Sequence, residues 1–213
     1  MYISRHMTPD PITVSPAMLL PEARALLNEY HFRHLPVVDE VGKLVGMLTD
    51  RDLRSAYPSS VAADSERTLV YERVEKTPVS EVMSTDLVSL TTEATLDDAL
   101  FVFDRDQVGA LPVLADERVV GIFSIRDLTA AYKRSFGLGE KGAVLIGIDD
   151  DGSPTIMTRL VTLLEEEKIP VSRVLRIADE GEGDSIYLRV KTFKIAAVLS
   201  LLEEKGFSVK RFV

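Results

Sequence analysis

Cysteine is absent from the 213-residue chain. Disulfides, thiolate nucleophiles, iron–sulfur clusters and cysteine zinc sites are thereby excluded, and a reducing, cytoplasmic location is expected. Basic charge is scarce: 25 Lys and Arg face 34 Asp and Glu, a formal net charge of −9. No basic block interrupts this balance, so neither nucleic acid nor an anionic membrane is an expected partner. The N-terminal stretch MYISRHMTPD lacks the apolar run of a signal peptide. The longest apolar stretches, AVLIGI and IAAVLSLL, fall far below the roughly 20 residues that span a bilayer. Recognisable catalytic patterns are missing too, with no GxSxG elbow and no HExxH, so an enzyme is not expected. Gly137-Leu-Gly-Glu-Lys-Gly142 lacks the spacing of a phosphate loop and an upstream strand, and is taken as a linker. His31-x-x-His34 straddles a helix end without a third ligand, so no metal is expected. With 46% hydrophobic and 28% charged residues, the composition is that of a soluble protein with a core.

The chain says one thing twice. Met7 aligns with Met83 and Pro36 with Pro112, both at an offset of 76, whereas Gly46 aligns with Gly121 at 75. The second copy has therefore lost one residue in the turn between. Each copy has the same grammar. A short extended run (Ile12–Val14; Leu87–Leu90) precedes a helix near residues 19–31 or 95–107, with apolar positions at helical spacing. A β-run follows, Leu35-Pro36-Val37-Val38 or Leu111-Pro112-Val113-Leu114, with its proline expected at the strand start. A turn and a second strand complete a hairpin (Leu44–Leu48; Val119–Phe123). A second helix then opens at Asp50 or Ile125. The order is β-α-β-β-α, twice. Residues 1–57 and 81–134 form the two units, and 58–80 link them with a loop at Pro58-Ser59-Ser60 and a short exposed helix over Glu66–Lys76.

After a linker at 135–142 the pattern changes. Over residues 143–213 the spacing predicts β-α-β-β-α-β: strands at Ala143–Ile148, Val171–Ile177, Ser185–Val190 and Phe207–Val213, and helices at Thr155–Lys168 and Ile195–Glu204. That order points to a ferredoxin-like sandwich. The whole chain is α+β.

The duplicated units resemble the cystathionine β-synthase (CBS) domain, which occurs in pairs. The resemblance rests on Met7-Thr8, Leu35-Pro36-Val37-Val38-Asp39 and Gly46-Met-Leu-Thr49-Asp-Arg-Asp52, with Met83-Ser84, Leu111-Pro112-Val113 and Gly121-Ile-Phe-Ser124-Ile-Arg-Asp127 as their partners. The last seventy or so residues look like an ACT domain, on element order and Asp149-Asp-Asp-Gly152. A CBS pair followed by an ACT domain is similar to the bacterial acetoin-utilisation B family. The resemblance implies a pseudo-twofold CBS pair, a homodimer and a non-catalytic regulator. Its ligand would be an adenosine-type small molecule rather than a required cofactor, with an amino acid at the ACT domain and a regulated enzyme as partner.

Thr49-x-x-Asp52 and Ser124-x-x-Asp127 carry two readings. As a helix start, the hydroxyl accepts a backbone N–H and the acid reaches back, a contact worth about 0.5–2 kcal/mol. By the family resemblance, the hydroxyl contacts a ligand phosphate and the aspartate accepts both ribose hydroxyls. A strand-to-helix junction also offers free N–H groups to an anion. The adenine slot is then expected at Ile12, Leu35 and Pro36 in one copy and at Val88, Leu111 and Pro112 in the other, although for each alone plain core is the more usual role. Arg33-His34 answers to Gly109-Ala110, so a cation marks the first site and space the second; Arg51 and Arg126 are further phosphate candidates. Asp149 and Gly152 are either a turn and helix start, with Pro154 near the first helical position, or, as the resemblance to an ACT domain implies, the edge of an amino-acid pocket. An amino-acid sensor and a pure interaction module are the alternatives to the nucleotide sensor.

Overall fold

The computed structural model describes residues 1–58, 64–178 and 183–210, with the backbone alone for Glu66. The chain divides into two compact units, Met1–Ala131 and Tyr132–Val213. The loop expected at Ser59-Ser60 and the end of the strand expected to reach Val213 lie outside the described residues.

In the first unit the elements run β1 (Thr8–Pro9), α1 (Leu20–Glu29), β2 (His34–Val38), β3 (Leu44–Thr49), α2 (Asp50–Ala56), α3 (Asp64–Val74), β4 (Leu90–Thr91), α4 (Leu96–Asp106), β5 (Ala110–Ala115), β6 (Arg118–Ser124) and α5 (Ile125–Ser135), whose residues from Tyr132 on belong to the second unit. Helix α1 starts at a proline in its first turn and buries Leu20, Ala23 and Leu27 at helical spacing. They pack with Leu35, Val37 and Leu48 of the β2–β3 hairpin in one apolar core. That hairpin turns through Asp39, whose Oδ1 accepts from the N–H groups of Val41 and Lys43 at 3.0 and 2.8 Å. The β5–β6 hairpin turns on two residues instead, Asp116 and Glu117, both at positive φ, the geometry that matches strand twist. This tighter turn accounts for the residue missing from the second copy.

Reciprocal contacts interlock the copies. Thr8 of the first copy pairs with Ile122 of β6, and Ser84 of the second bridges to Met47 of β3. Tyr2 bridges Thr95, and Pro78 bridges Leu19. Each contact of one copy recurs with the partners exchanged, the signature of a twofold relation. Lys43 bridges its own equivalent, Arg118, and so lies on that axis. The repeated Met and Gly now have a cause. A Cβ at Gly121 would collide with the Sδ of Met7, and one at Gly46 with the Sδ of Met83. Each glycine leaves room for the other copy's methionine.

Three local expectations need correction. Ile12–Val14 forms no strand, Val14 making a single parallel bridge to Val37, and of its counterpart run Leu87–Leu90 only Leu90 lies in a strand, β4. Pro36 and Pro112 are third in their strands rather than first. β5 tolerates this because β4 joins it only at Val113 and Leu114, beyond the proline. The linker helix begins two residues early, at Asp64.

The second unit runs β7 (Ala143–Asp149), α6 (Ile156–Glu166), β8 (Val171–Ile177), β9 (Ser185–Lys191), α7 (Ile195–Glu204) and β10 (Val209–Lys210). Its antiparallel sheet has the order β10-β7-β9-β8. One sheet face presents Ile146, Ile148, Ile186, Leu188 and Val190 to Ile156, Leu160 and Leu164 of α6 and to Val198 and Leu202 of α7. Pro154 precedes the N-cap Thr155, near the first helical position as expected.

Candidate functional site

The two Ser/Thr-x-x-Asp junctions fold alike. Thr49 Oγ1 accepts from the Asp52 N–H at 3.3 Å, and Asp52 Oδ2 accepts from the Thr49 N–H at 2.8 Å and its hydroxyl at 2.6 Å. The Ser124 and Asp127 bonds are 3.3, 2.9 and 2.6 Å. Both are therefore capping boxes. A third box, Thr95 with Asp98, has the same three bonds at 3.1, 2.8 and 2.7 Å. It was legible as Thr95-Leu-Asp-Asp98 and was missed. Box geometry alone thus marks a helix start; position must mark a site.

Position separates them. Thr49 and Asp52 line a cleft of about 520 Å³ within the first unit, and Ser124, Asp127 and Asp98 do not. One side of the cleft is polar and comes from the first copy: Arg33, His34, Thr49, Arg51 and Asp52. The other is largely apolar and comes from the second: Leu87, Val88, Phe103, Val108, Ala110, Pro112 and Ile125. Asp86 adds a carboxylate to that second side. Arg33-His34 and Gly109-Ala110, expected at separate sites, share this one; a Cβ on Gly109 would lie 3.1 Å from the His34 ring. The slot residues divide likewise. Val88 and Pro112 line the cleft beside Asp52. Leu35, at 0% exposure, and Leu111, at 1%, are core. Pro36 is buried, and Ile12 packs against the first copy's core. The crossover of each copy's leading segment produces this mixing, and nothing in one linear copy announces it.

Within the cleft, charges are unevenly engaged. Asp52 uses Oδ2 for its box, and Oδ1 makes no hydrogen bond among the described residues. Arg54 is held by Asp50 at 2.7 Å; Arg33 and Arg51 make no ion pair among the described residues. Burial, and then the neighbouring Arg33, hold the His34 imidazole below its ordinary pKa, against weaker opposition from Asp52 and Asp50. The free N–H groups expected at the junction are largely taken: Asp50 N–H donates to Arg33 O at 3.0 Å and Asp52 N–H to Thr49. An anion here would be met by arginine side chains, not by the two-turn helix α2.

The CBS domain family matches residues 3–59 and again 79–134. The chain belongs to the CBS-domain family. It is 38% identical over 122 residues to the CBS domain-containing protein YhcV of Bacillus subtilis, covering 57% of this chain and 79% of that one. An inosine-5′-monophosphate dehydrogenase of Aquifex aeolicus is 29% identical over 159 residues, 73% of this chain but only 30% of the dehydrogenase. Among solved structures, the Vibrio cholerae protein described as acetoin utilization protein AcuB superposes with a TM-score of 0.55 at 29% identity, covering 66% of this chain and 96% of its own. The CBS domain pair of protein MJ0100, in complex with 5′-methylthioadenosine and S-adenosyl-L-methionine, gives 0.53 at 25% identity, covering 63% of this chain and 98% of that pair.

In the second unit, the acidic loop is internally satisfied. Asp149 Oδ2 accepts from the Ser208 hydroxyl at 2.6 Å, and Lys210 lies 3.5 Å from its Oδ1. Asp150 pairs with Arg176, and Asp151 with Arg159 at 3.3 Å. Gly152, at φ +73°, donates its N–H to Asp150 at 2.9 Å. Neither Asp149 nor Gly152 lines the clefts described. Among the described residues no group of three or more His, Asp or Glu could hold a metal, and no helix is long and apolar enough to cross a membrane.

Proposed function

We propose that the cleft between the CBS repeats binds an adenosine-containing ligand and that the chain is a non-catalytic regulatory protein. The divided use of Asp52 carries this reading. One carboxylate oxygen builds the helix start, the other makes no hydrogen bond among the described residues, and Asp52 lines the cleft, which suits acceptance of a ribose hydroxyl. The wall formed by Val88, Ala110 and Pro112 suits an adenine face, and Arg33 and Arg51 suit a phosphate. A volume of about 520 Å³ lies within the usual range of about 300–1,000 Å³ for small-molecule sites. The adenosine derivatives held by the MJ0100 CBS pair support the ligand class. Under the repeat offset, Ser124, Asp127, Ile12 and Pro36 are the equivalent set, and a second ligand is proposed there.

A ligand that prefers one arrangement of the repeats transmits that preference to whatever partner senses the arrangement, here a regulated enzyme. We further propose that the second unit is an ACT-type domain of a protein like the acetoin-utilisation B family. Its strand order, β10-β7-β9-β8, is that of a ferredoxin-like sandwich and supports this. An amino acid at Asp149 and Gly152 would first have to displace Ser208 and Lys210. Exposed Leu100 and Phe101 on α4, 48% and 65% accessible, support a homodimer through helical faces, and the lack of cysteine supports the cytoplasm.

The competing reading, an interaction module without a ligand, draws on the completeness of the boxes. A thermal-shift screen of adenosine compounds separates the two. At about 100 times its dissociation constant a ligand adds about 2.7 kcal/mol, an easily seen rise. A flat response across the whole panel removes the sensor.

A further inference from the structure

A second cavity lies within the second unit, on the sheet face turned away from its helices. Side chains alternate along each strand. With Ile146, Ile186 and Leu188 in the core, Leu145, Leu175, Ile177, Tyr187 and Arg189 fall on the opposite face. Together with Phe136 and Leu138, from the segment that follows α5, they enclose about 350 Å³. The segment taken as a plain linker therefore helps to build a site.

Arg189 makes this trough more than an apolar face. It is only 9% exposed, and its buried Nε has no hydrogen-bond partner. Among the described residues no ion pair engages its guanidinium. A buried guanidinium nitrogen without a partner carries a desolvation cost that a hydrogen-bonding anion would offset. Its neighbour Arg173 is already occupied, donating to the carbonyls of Ser135, Ser172 and Arg134. The acid beside this site is Glu140. Lys191 holds its Oε1 at 2.7 Å, and that hydrogen bond lowers its pKa, while its Oε2 is buried without a hydrogen-bond partner. Its Oε2 and the Arg189 side chain both lie against Gly137, yet no ion pair joins them.

We propose that this trough binds a small apolar monocarboxylate, with its carboxylate on Arg189 and its tail over Leu145, Leu175 and Ile177. No carboxylate lines the cavity to receive an ammonium group, so a free amino acid is the poorer ligand. The site is separate from the nucleotide cleft, and either proposal can fail without the other.

The test titrates the full chain with 4-phenylbutanoate, its primary amide and phenylalanine, by calorimetry. The proposal expects saturable one-to-one binding of the acid, with the amide and the amino acid at least tenfold weaker. Arg189→Met, which keeps the packing volume, loses at least tenfold in acid affinity without a lower denaturation midpoint. Glu140→Gln keeps or strengthens binding, since it removes the competing acid. No saturable binding, equal binding of the amide, or full affinity in Arg189→Met each overturns the proposal. Absence of binding that appears only once Glu140 is neutralised also overturns it, because Glu140 is then the native partner of Arg189.

Discussion

At the scale of single residues, Asp52 holds two tasks that substitution can separate. Asp52→Asn keeps an oxygen for the Thr49 N–H and hydroxyl but presents an amide to the cleft. It is expected to cost little stability while weakening an adenosine ligand at least tenfold, measured by urea melts and titration. Gly46 and Gly121 invite a different experiment. Alanine at either meets the opposite copy's methionine, and overpacking of this kind costs about 1–3 kcal/mol. Because methionine bends readily, the lower end is expected, and Gly121→Ala with Met7→Ala should recover part of the loss. His34 supplies a pH dependence. Above its unfolded value of 6.5 both states are neutral and stability is level. As pH falls below 6.5 the unfolded chain takes a proton that the folded chain declines, so stability declines until the lowered folded value is reached. His34→Gln should remove that slope from denaturation midpoints measured between pH 7.5 and 5.5.

At the scale of elements, the three capping boxes form an internal comparison. Thr49→Ala, Ser124→Ala and Thr95→Ala should each destabilise by about 0.5–2 kcal/mol; of Thr49→Ala and Thr95→Ala, only the first should weaken a ligand in the 520 Å³ cleft. Equal loss of affinity in Thr95→Ala would mean that stability, not contact, governs binding. Helices α1 and α4 were legible within one or two residues, because their apolar positions keep helical spacing. Strand β1 was not legible. Thr8 and Pro9 carry no alternation, and they pair only because β6 of the other copy offers an edge. The same blindness affected the site. Asp52 and Val88 stood in plain sight, but each was assigned a slot in its own copy, since a linear repeat does not show which copy's strand crosses over which hairpin.

At the scale of the whole molecule, duplication explains more than any single motif does. An offset of 76 residues, or 75 beyond the shortened turn, relates the bridges, the Met–Gly contacts and the boxes, while the cleft breaks that symmetry by setting Arg33-His34 against Gly109-Ala110. The break predicts unequal affinities, with the site at Asp52 favouring phosphate-bearing ligands and weakening as salt rises. The most direct test is calorimetric titration of the intact chain with AMP, 5′-methylthioadenosine and S-adenosyl-L-methionine, repeated on Asp52→Asn. Saturable heat from at least one ligand, reduced tenfold or more in a variant that unfolds at nearly the wild-type urea concentration, is the predicted result. Silence from all three, or unchanged affinity in the variant, would contradict the assignment of Asp52 to a ribose.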